Sequence, residues 1–167
     1  VGKGPERERL IERARAEEIT SVLFKDSPFE EGSLLMSISY GFVVVLRNIP
    51  AAQKMRLSKT FPPLACGVPV IYGGIGESAD IIRDNGCGLV ALPENPASLA
   101  EAVLQLADGP EMRDTFSKAG LKLIERDFSW KTIVSNWLQQ LERSTMVAGG
   151  GASTADQRSV VQSRASE

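Results

Sequence analysis

The sequence predicts an α/β domain with a doubly wound parallel sheet, on three observations. Short continuous apolar runs, "GFVVVL" at 41–46, "VPVIY" at 68–72 and "GLVAL" at 88–92, have the β-branched composition of strands buried on both faces. Stretches with helical periodicity separate or follow them, as parallel strands joined by crossover helices require. Glycine or proline stands at nearly every junction, where an element must stop.

Taken in order, residues 5–19 read as a helix. Pro5 suits its first turn, Glu6 and Glu8 suit the positive end of its dipole, and Leu10, Ile11, Ala14 and Ile19 form an apolar face. "SVLF" at 21–24 follows as a short buried strand. After Pro28 a helix is expected over "FEEGSLLMSIS", in spite of Gly32, and then the 41–46 strand. Residues 47–57 read as a loop, and a short helix runs from Phe61 to Cys66, stopped by Gly67. The 68–72 strand leads to a "GGIG" turn and a helix over "ESADIIRDN", with Gly86 as its stop before the 88–92 strand. In "ENPASLAEAVLQLAD", Asn95 is the cap, Pro96 opens the first turn, and Leu99, Val103, Leu104 and Leu106 are expected to point inward. Helices over 110–126 and 129–143 complete the domain. In the second, Trp130, Ile133, Val134, Trp137, Leu138 and Leu141 share one wide apolar face, which reads as core packing. The remainder, 144–167, is small, polar and aperiodic, and is expected to be a disordered tail.

Composition removes several classes of function. With 167 residues, 43% hydrophobic and 24% charged, the chain has material for one ordinary domain with a core. A net charge of −2 provides no basic surface for neutralising nucleic-acid phosphates. There is no histidine, so a Ser-His-Asp arrangement, a histidine base and the common zinc sites are excluded within this chain. Cys66 and Cys87 lack metal or redox spacing and read as buried free thiols in a reducing compartment. No apolar run reaches the length of a membrane span and "VGKGPERERL" lacks a signal sequence, so the chain is expected to be cytoplasmic.

The stretch with most chemistry is "SKTFPPLACGVPVIYGGIGESA", 58–79. Ligands of open parallel sheets bind beyond the carboxyl ends of the strands, and the glycine turn follows such an end. Gly73, Gly74 and Gly76 would let a ligand approach the backbone, and the helix after them offers free N–H groups to an anion. A tight turn that binds nothing explains the same glycines. "GIGESA" fits G-x-G-x-x-A, with Glu94 about twenty residues on, but Glu77 would repel a pyrophosphate at that helix start. "SKT" lacks the glycines of a Walker A loop at 53 and 58. Helix N–H donors and Lys59 for phosphates, with Glu77 accepting hydroxyls, suit a nucleotide diphosphate sugar, and such donors can serve without a metal or other cofactor. Lys59 reads equally as a solvated surface lysine.

These segments, in this order, resemble the C-terminal, donor-binding half of GT-B glycosyltransferases of the group 1, family 4-like kind. The resemblance runs through "VGKGPERERL", "SKTF", "LACGVPVI", "GGIGESADIIRDNGCGLV", "PENPASLAEAVLQLADGPEMR" and "FSW", spanning nearly all of residues 1–143. It implies a Rossmann-like half of a GT-B fold, and transfer of a sugar from a nucleotide diphosphate donor, typically with retention, in a cleft between two domains. It implies donor-binding roles for Ser58, Lys59, Gly73, Gly74, Gly76 and Glu77, and base-side roles for Phe24 and Lys25, with no catalytic residue and no metal assigned. The family's "SK-x-F-E-Y-x-A-x-G" is met by Ser58, Lys59, Phe61, Ala65 and Gly67, yet the two glutamates of its E-x7-E pair fall on Lys54 and Pro62. A proline ring accepts no hydroxyl hydrogen bond, although prolines at 62 and 63 can still start a helix. Asp26 replaces the glycine of the family's V-x-F-x-G loop.

A GT-B enzyme also needs an acceptor domain and an initial βα unit, so 1–143 is expected to be an N-terminally truncated donor domain, inactive alone. In the full enzyme the resemblance implies a glycan or lipid-linked acceptor, bacterial cell-surface glycan synthesis and peripheral contact with the inner face of the membrane. Two alternatives stay open: a degenerate, non-catalytic nucleotide-binding or interaction module of the same fold, and a nucleotide-sugar epimerase.

Overall fold

Three short strands pair in parallel in the order β1 (Phe42–Val45), β2 (Val70–Gly73) and β3 (Gly88–Ala91). The structure, a computed structural model, describes residues 2–149, with side chains as far as residue 145. The register aligns Val43 with Ile71 and Ile71 with Leu89, and aligns Val45 with Gly73 and Gly73 with Ala91. Laterally paired residues of parallel strands point the same way, so these six share one face. Val44, Val70 and Tyr72 lie on the other and are buried.

The helices are α1 (Arg7–Ala16), α2 (Gly32–Ser37, led in by a 3-10 turn at Phe29–Glu31), α3 (Pro50–Gln53), α4 (Phe61–Ala65), α5 (Glu77–Asp84), α6 (Pro96–Asp108), α7 (Pro110–Leu123) and α8 (Trp130–Gly149). The core on the first face joins Ile71 and Ala91 of the sheet to Ala102 and Leu106 of α6, with Leu89, Leu99 and Phe116 packed around them. Burying a side chain such as Ile71 stabilises the fold by about 2 kcal/mol. Helix α6 begins as its sequence predicts: Pro96 opens it and the Asn95 Oδ1 accepts from the Ser98 N–H at 2.9 Å, a cap typically contributing ~1 kcal/mol.

The doubly wound α/β fold is as expected; several local expectations are not met. Residues 21–24 form no strand. Among the described residues their segment makes one backbone bond to the start of the chain, Gly2 N–H to the Lys25 carbonyl at 3.1 Å, and Leu23 is exposed, so no ladder builds there. Residues 47–57 are not all loop, because Pro50 starts the single turn of α3 and buries Ala52. On α6, Val103 and Leu104 face outward while Ala102 and Leu106 are buried. The helix carries apolar residues all round, and packing selects the inner face. Cys66 is only half-buried; Cys87 is fully buried, and burial pushes its thiol pKa up to about 11.

The chain divides after Ile124 into two units. The first holds the sheet and helices α1 to α7. The second contains most of a π-helical turn, Ile124–Phe128, and α8, whose first turn is capped by the Ser129 hydroxyl accepting from Thr132 N–H at 3.1 Å. Helix α8 continues to Gly149, past the expected end at 143, because its apolar spacing gives way to helix-compatible residues and no proline or glycine before 149 stops it. Its stripe of Trp130, Ile133, Val134, Trp137, Leu138 and Leu141 is exposed and does not pack as core. The rest of the tail, 150–167, lies outside the described residues. Among the described residues no helix is long and apolar enough to cross a membrane.

Candidate functional site: the glycine corner

Strand β2 runs into residues 73–76 and then directly into α5. Gly76 is the cap residue, at φ 85° and ψ −162°, a conformation that strains any L side chain. A Cβ there would also collide with the Gln53 carbonyl, so glycine is required twice over. At Gly74 an added Cβ would lie 2.8 to 3.0 Å from the tip of the Tyr72 ring. The turn is therefore laid flat on the phenol beneath it. Gly73 and Gly74 are buried, and Ile75, Gly76 and Glu77 are half-buried.

A second segment closes over the corner. After α3 the chain runs back across the start of α5, and two hydrogen bonds tie it down. The Leu57 N–H donates to Ser78 Oγ at 2.8 Å, and the Ser78 hydroxyl donates to the Met55 carbonyl at 3.4 Å. Between those anchors, Arg56 reaches Glu77, its Nε 2.9 Å from Oε1 and its Nη2 closer still. The hydrogen bond to Glu77 is the main reason that the Arg56 pKa is raised. Both side chains are about half-exposed, so solvent screens the pair and its contribution to stability is small.

Ser58 and Lys59 sit in a 3-10 turn, Ser58–Thr60, and both are exposed. Thr60 holds the turn, its hydroxyl donating to the Leu57 carbonyl at 2.7 Å. Pro62 and Pro63 occupy the first turn of α4, where neither N–H is needed, so the helix forms as the sequence predicts. Pro63 is buried and Pro62 exposed; Lys54 caps the end of α3 in the open. The structure joins Glu77 to Arg56, a residue that sequence reasoning passed over. Arg56 stands in a basic run, "KMRLSK", which is its only signal in the sequence; the pairing across 21 positions has none. Phe24 and Lys25 lie elsewhere, lining a hollow of about 250 Å³ with Gly2, Gly4, Arg7 and Leu10.

A larger cavity of about 330 Å³ opens at the carboxyl ends of the strands. Val45, Gly73, Leu92, Pro96 and Leu99 make it mostly apolar, and Arg47 and Glu94 stand at its walls. Gly73 thus belongs to both this cavity and the glycine corner. Among the described residues no three His, Cys, Asp or Glu side chains gather where they could hold a metal ion.

Comparison with known proteins gives this geometry a setting. Residues 63–123 match the family described as Glycosyl transferases group 1. An uncharacterized glycosyltransferase of Methanocaldococcus jannaschii is 37% identical over 71 residues, which are 42% of this chain and 20% of that protein. The glycogen synthase of Mycobacterium tuberculosis is 22% identical over 135 residues, 81% of this chain and 32% of that protein. The chain therefore spans between a fifth and a third of these curated relatives. The solved sucrose-phosphate synthase of Thermosynechococcus elongatus superposes with a TM-score of 0.67 over 89% of this chain and 36% of its own, at 21% identity. The parallel three-stranded α/β fold matches a GT-B glycosyltransferase fold.

Proposed function

We propose that this chain is the donor-binding half of a group 1 glycosyltransferase, family 4-like, which holds a nucleotide diphosphate sugar for transfer to a glycan or lipid-linked acceptor. One observation carries the reading: the segment that matches the group 1 family contains the glycine corner at the carboxyl end of the sheet, followed at once by a helix N-terminus. There, free N–H donors and the exposed Lys59 and Ser58 would stabilise the diphosphate as it departs, and Glu77 would accept hydroxyl hydrogen bonds from the sugar. Residues 73, 74 and 76 would contribute backbone, and Phe24 and Lys25 would approach the base. Catalysis would require an acceptor domain as well. Retention of configuration, a cytoplasmic site at the inner face of a membrane and a part in cell-surface glycan synthesis belong to the same proposal.

A second reading, a nucleotide-binding module without transferase activity, is favoured by Pro62 and Lys54, which stand where the family places two carboxylates. Calorimetric titration with UDP, GDP and their sugars tests both. Binding of a nucleoside diphosphate, weakened by Lys59→Ala, is expected. Tighter binding of the sugar nucleotide than of the bare diphosphate supports the transferase; equal affinities support the module. If no nucleotide binds to the folded chain, both readings fail.

A further inference from the structure

Helix α8 gathers its apolar residues on one stripe, and that stripe lies in the open. Trp130 is 81% exposed, Trp137 57%, and Ile133, Val134, Leu138 and Leu141 between 41% and 47%. Single apolar side chains on a surface are ordinary, but six on one face form a patch of the kind that marks a contact surface. The steps along the stripe, 3, 1, 3, 1 and 3 residues, are the same read from either end. A second α8 laid antiparallel therefore meets it position for position: Trp130 against Leu141, Ile133 against Leu138 and Val134 against Trp137, each pair made twice about a two-fold axis. Each indole then faces a smaller aliphatic side chain, as interdigitated packing needs, whereas parallel helices would set tryptophan on tryptophan and valine on valine. From 130 to 145 the helix has three charged residues, Lys131, Glu142 and Arg143, and none is in the stripe. Two copies can thus approach without strong repulsion, while the polar side is too poor in basic residues for a helix held on an anionic membrane.

We propose that α8 is a self-association surface, on which a second copy of this chain docks its own α8 antiparallel to make a two-fold dimer. Closing the stripe removes about 500 Å² from water on each copy, about 1,000 Å² in all. That is the lower end of the size at which a specific interface holds, so the dimer forms at micromolar rather than nanomolar concentrations. Trp137 and Val134 lie next to the axis, where the pair encloses them and water is excluded, and Trp130 closes each end. The stripe contains no residue of the glycine corner, so dimerisation and nucleotide binding stand or fall separately.

The test is sedimentation equilibrium of the full chain, alongside Val134→Lys, Trp137→Glu and, on the far side of the helix, Gln139→Lys. The unaltered chain should be a dimer that dissociates on dilution through the micromolar range, its tryptophan emission moving to longer wavelength as it does. Val134→Lys and Trp137→Glu should each weaken association at least about a hundredfold, as an unpaired charge at a closed contact does. Gln139→Lys should leave it unchanged. Mixed in equal amounts, the two disabled variants should associate with each other, because antiparallel pairing sets their introduced charges of opposite sign together and keeps one native contact between Val134 and Trp137. Rising salt should weaken that mixed dimer. Far-ultraviolet circular dichroism separates loss of association from loss of the helix; should a charged variant lose helix, Trp137→Ala takes its place, with association weakened about tenfold or more and the helix intact. A chain that stays monomeric throughout the micromolar range overturns the proposal, as does a dimer that ignores substitution at both 134 and 137. Failure of the mixed variants to associate overturns the antiparallel pairing. A monomer whose tryptophan emission shifts to shorter wavelength on vesicles of phosphatidylcholine and phosphatidylglycerol overturns the dimer too and gives the stripe to a membrane surface.

Discussion

Val43 and Ile71 are register partners on one face of the sheet, both β-branched, yet Val43 is 46% exposed and Ile71 only 3%. The difference is the reach of α6, whose Ala102 and Leu106 lie over β2 and β3. On the opposite face the two strands are alike, with Val44 and Tyr72 both buried. Strand β2 is thus a central strand in its surroundings as well as in its composition, while β1 has the composition alone. A continuous β-branched run marks a strand; it does not say how many of its faces are covered.

Substitution can break that contrast. Ile71→Ala should have the largest effect, about 3 kcal/mol lost in urea unfolding, since it leaves a cavity under α6. Cys87, whose carbonyl accepts from the Val70 N–H of β2 at 3.3 Å, adds a pH dependence to the buried side. Its thiol is held near 11 in the fold against an ordinary value of 9.0, so between those values the unfolded chain loses a proton that the folded one keeps. Stability should therefore be complete below pH 9 and fall as pH rises toward 11, and Cys87→Ala should flatten that part of the profile. The smallest effect belongs to β1. Val43→Thr should change unfolding by less than about 0.5 kcal/mol, as exposed substitutions do. A loss comparable to that of Ile71→Ala would show that the Val43 face is covered in solution.

Much of the fold could be read from local pattern because its signals are local. The "VPVIY" and "GLVAL" runs, the Asn95-Pro96 start of α6 and the glycine stops each need only a few neighbours to act, and each appears where expected. Residues 21–24 misled because a strand also needs a partner, and composition cannot supply one. Val103 and Leu104 misled because a helix that is apolar all round has no inner face until something packs on it. In the corner, the glycines could be read and their reason could not. Gly76 answers to Gln53, 23 positions away, and Gly74 to a tyrosine ring turned beneath it. Lys59 stood out by its place in a motif, while Arg56, without one, is the cation that meets Glu77.

By itself the sequence determined the class of fold, the order of the three strands that form the sheet and the absence of histidine chemistry, since propensity, periodicity and composition reside in short stretches of chain. Only the tertiary structure decided which side of β1 stayed bare, which face of α6 turned inward and which cation closed over Glu77. Those outcomes depend on contacts between residues far apart in the chain, and such contacts exist only once the backbone has brought them together.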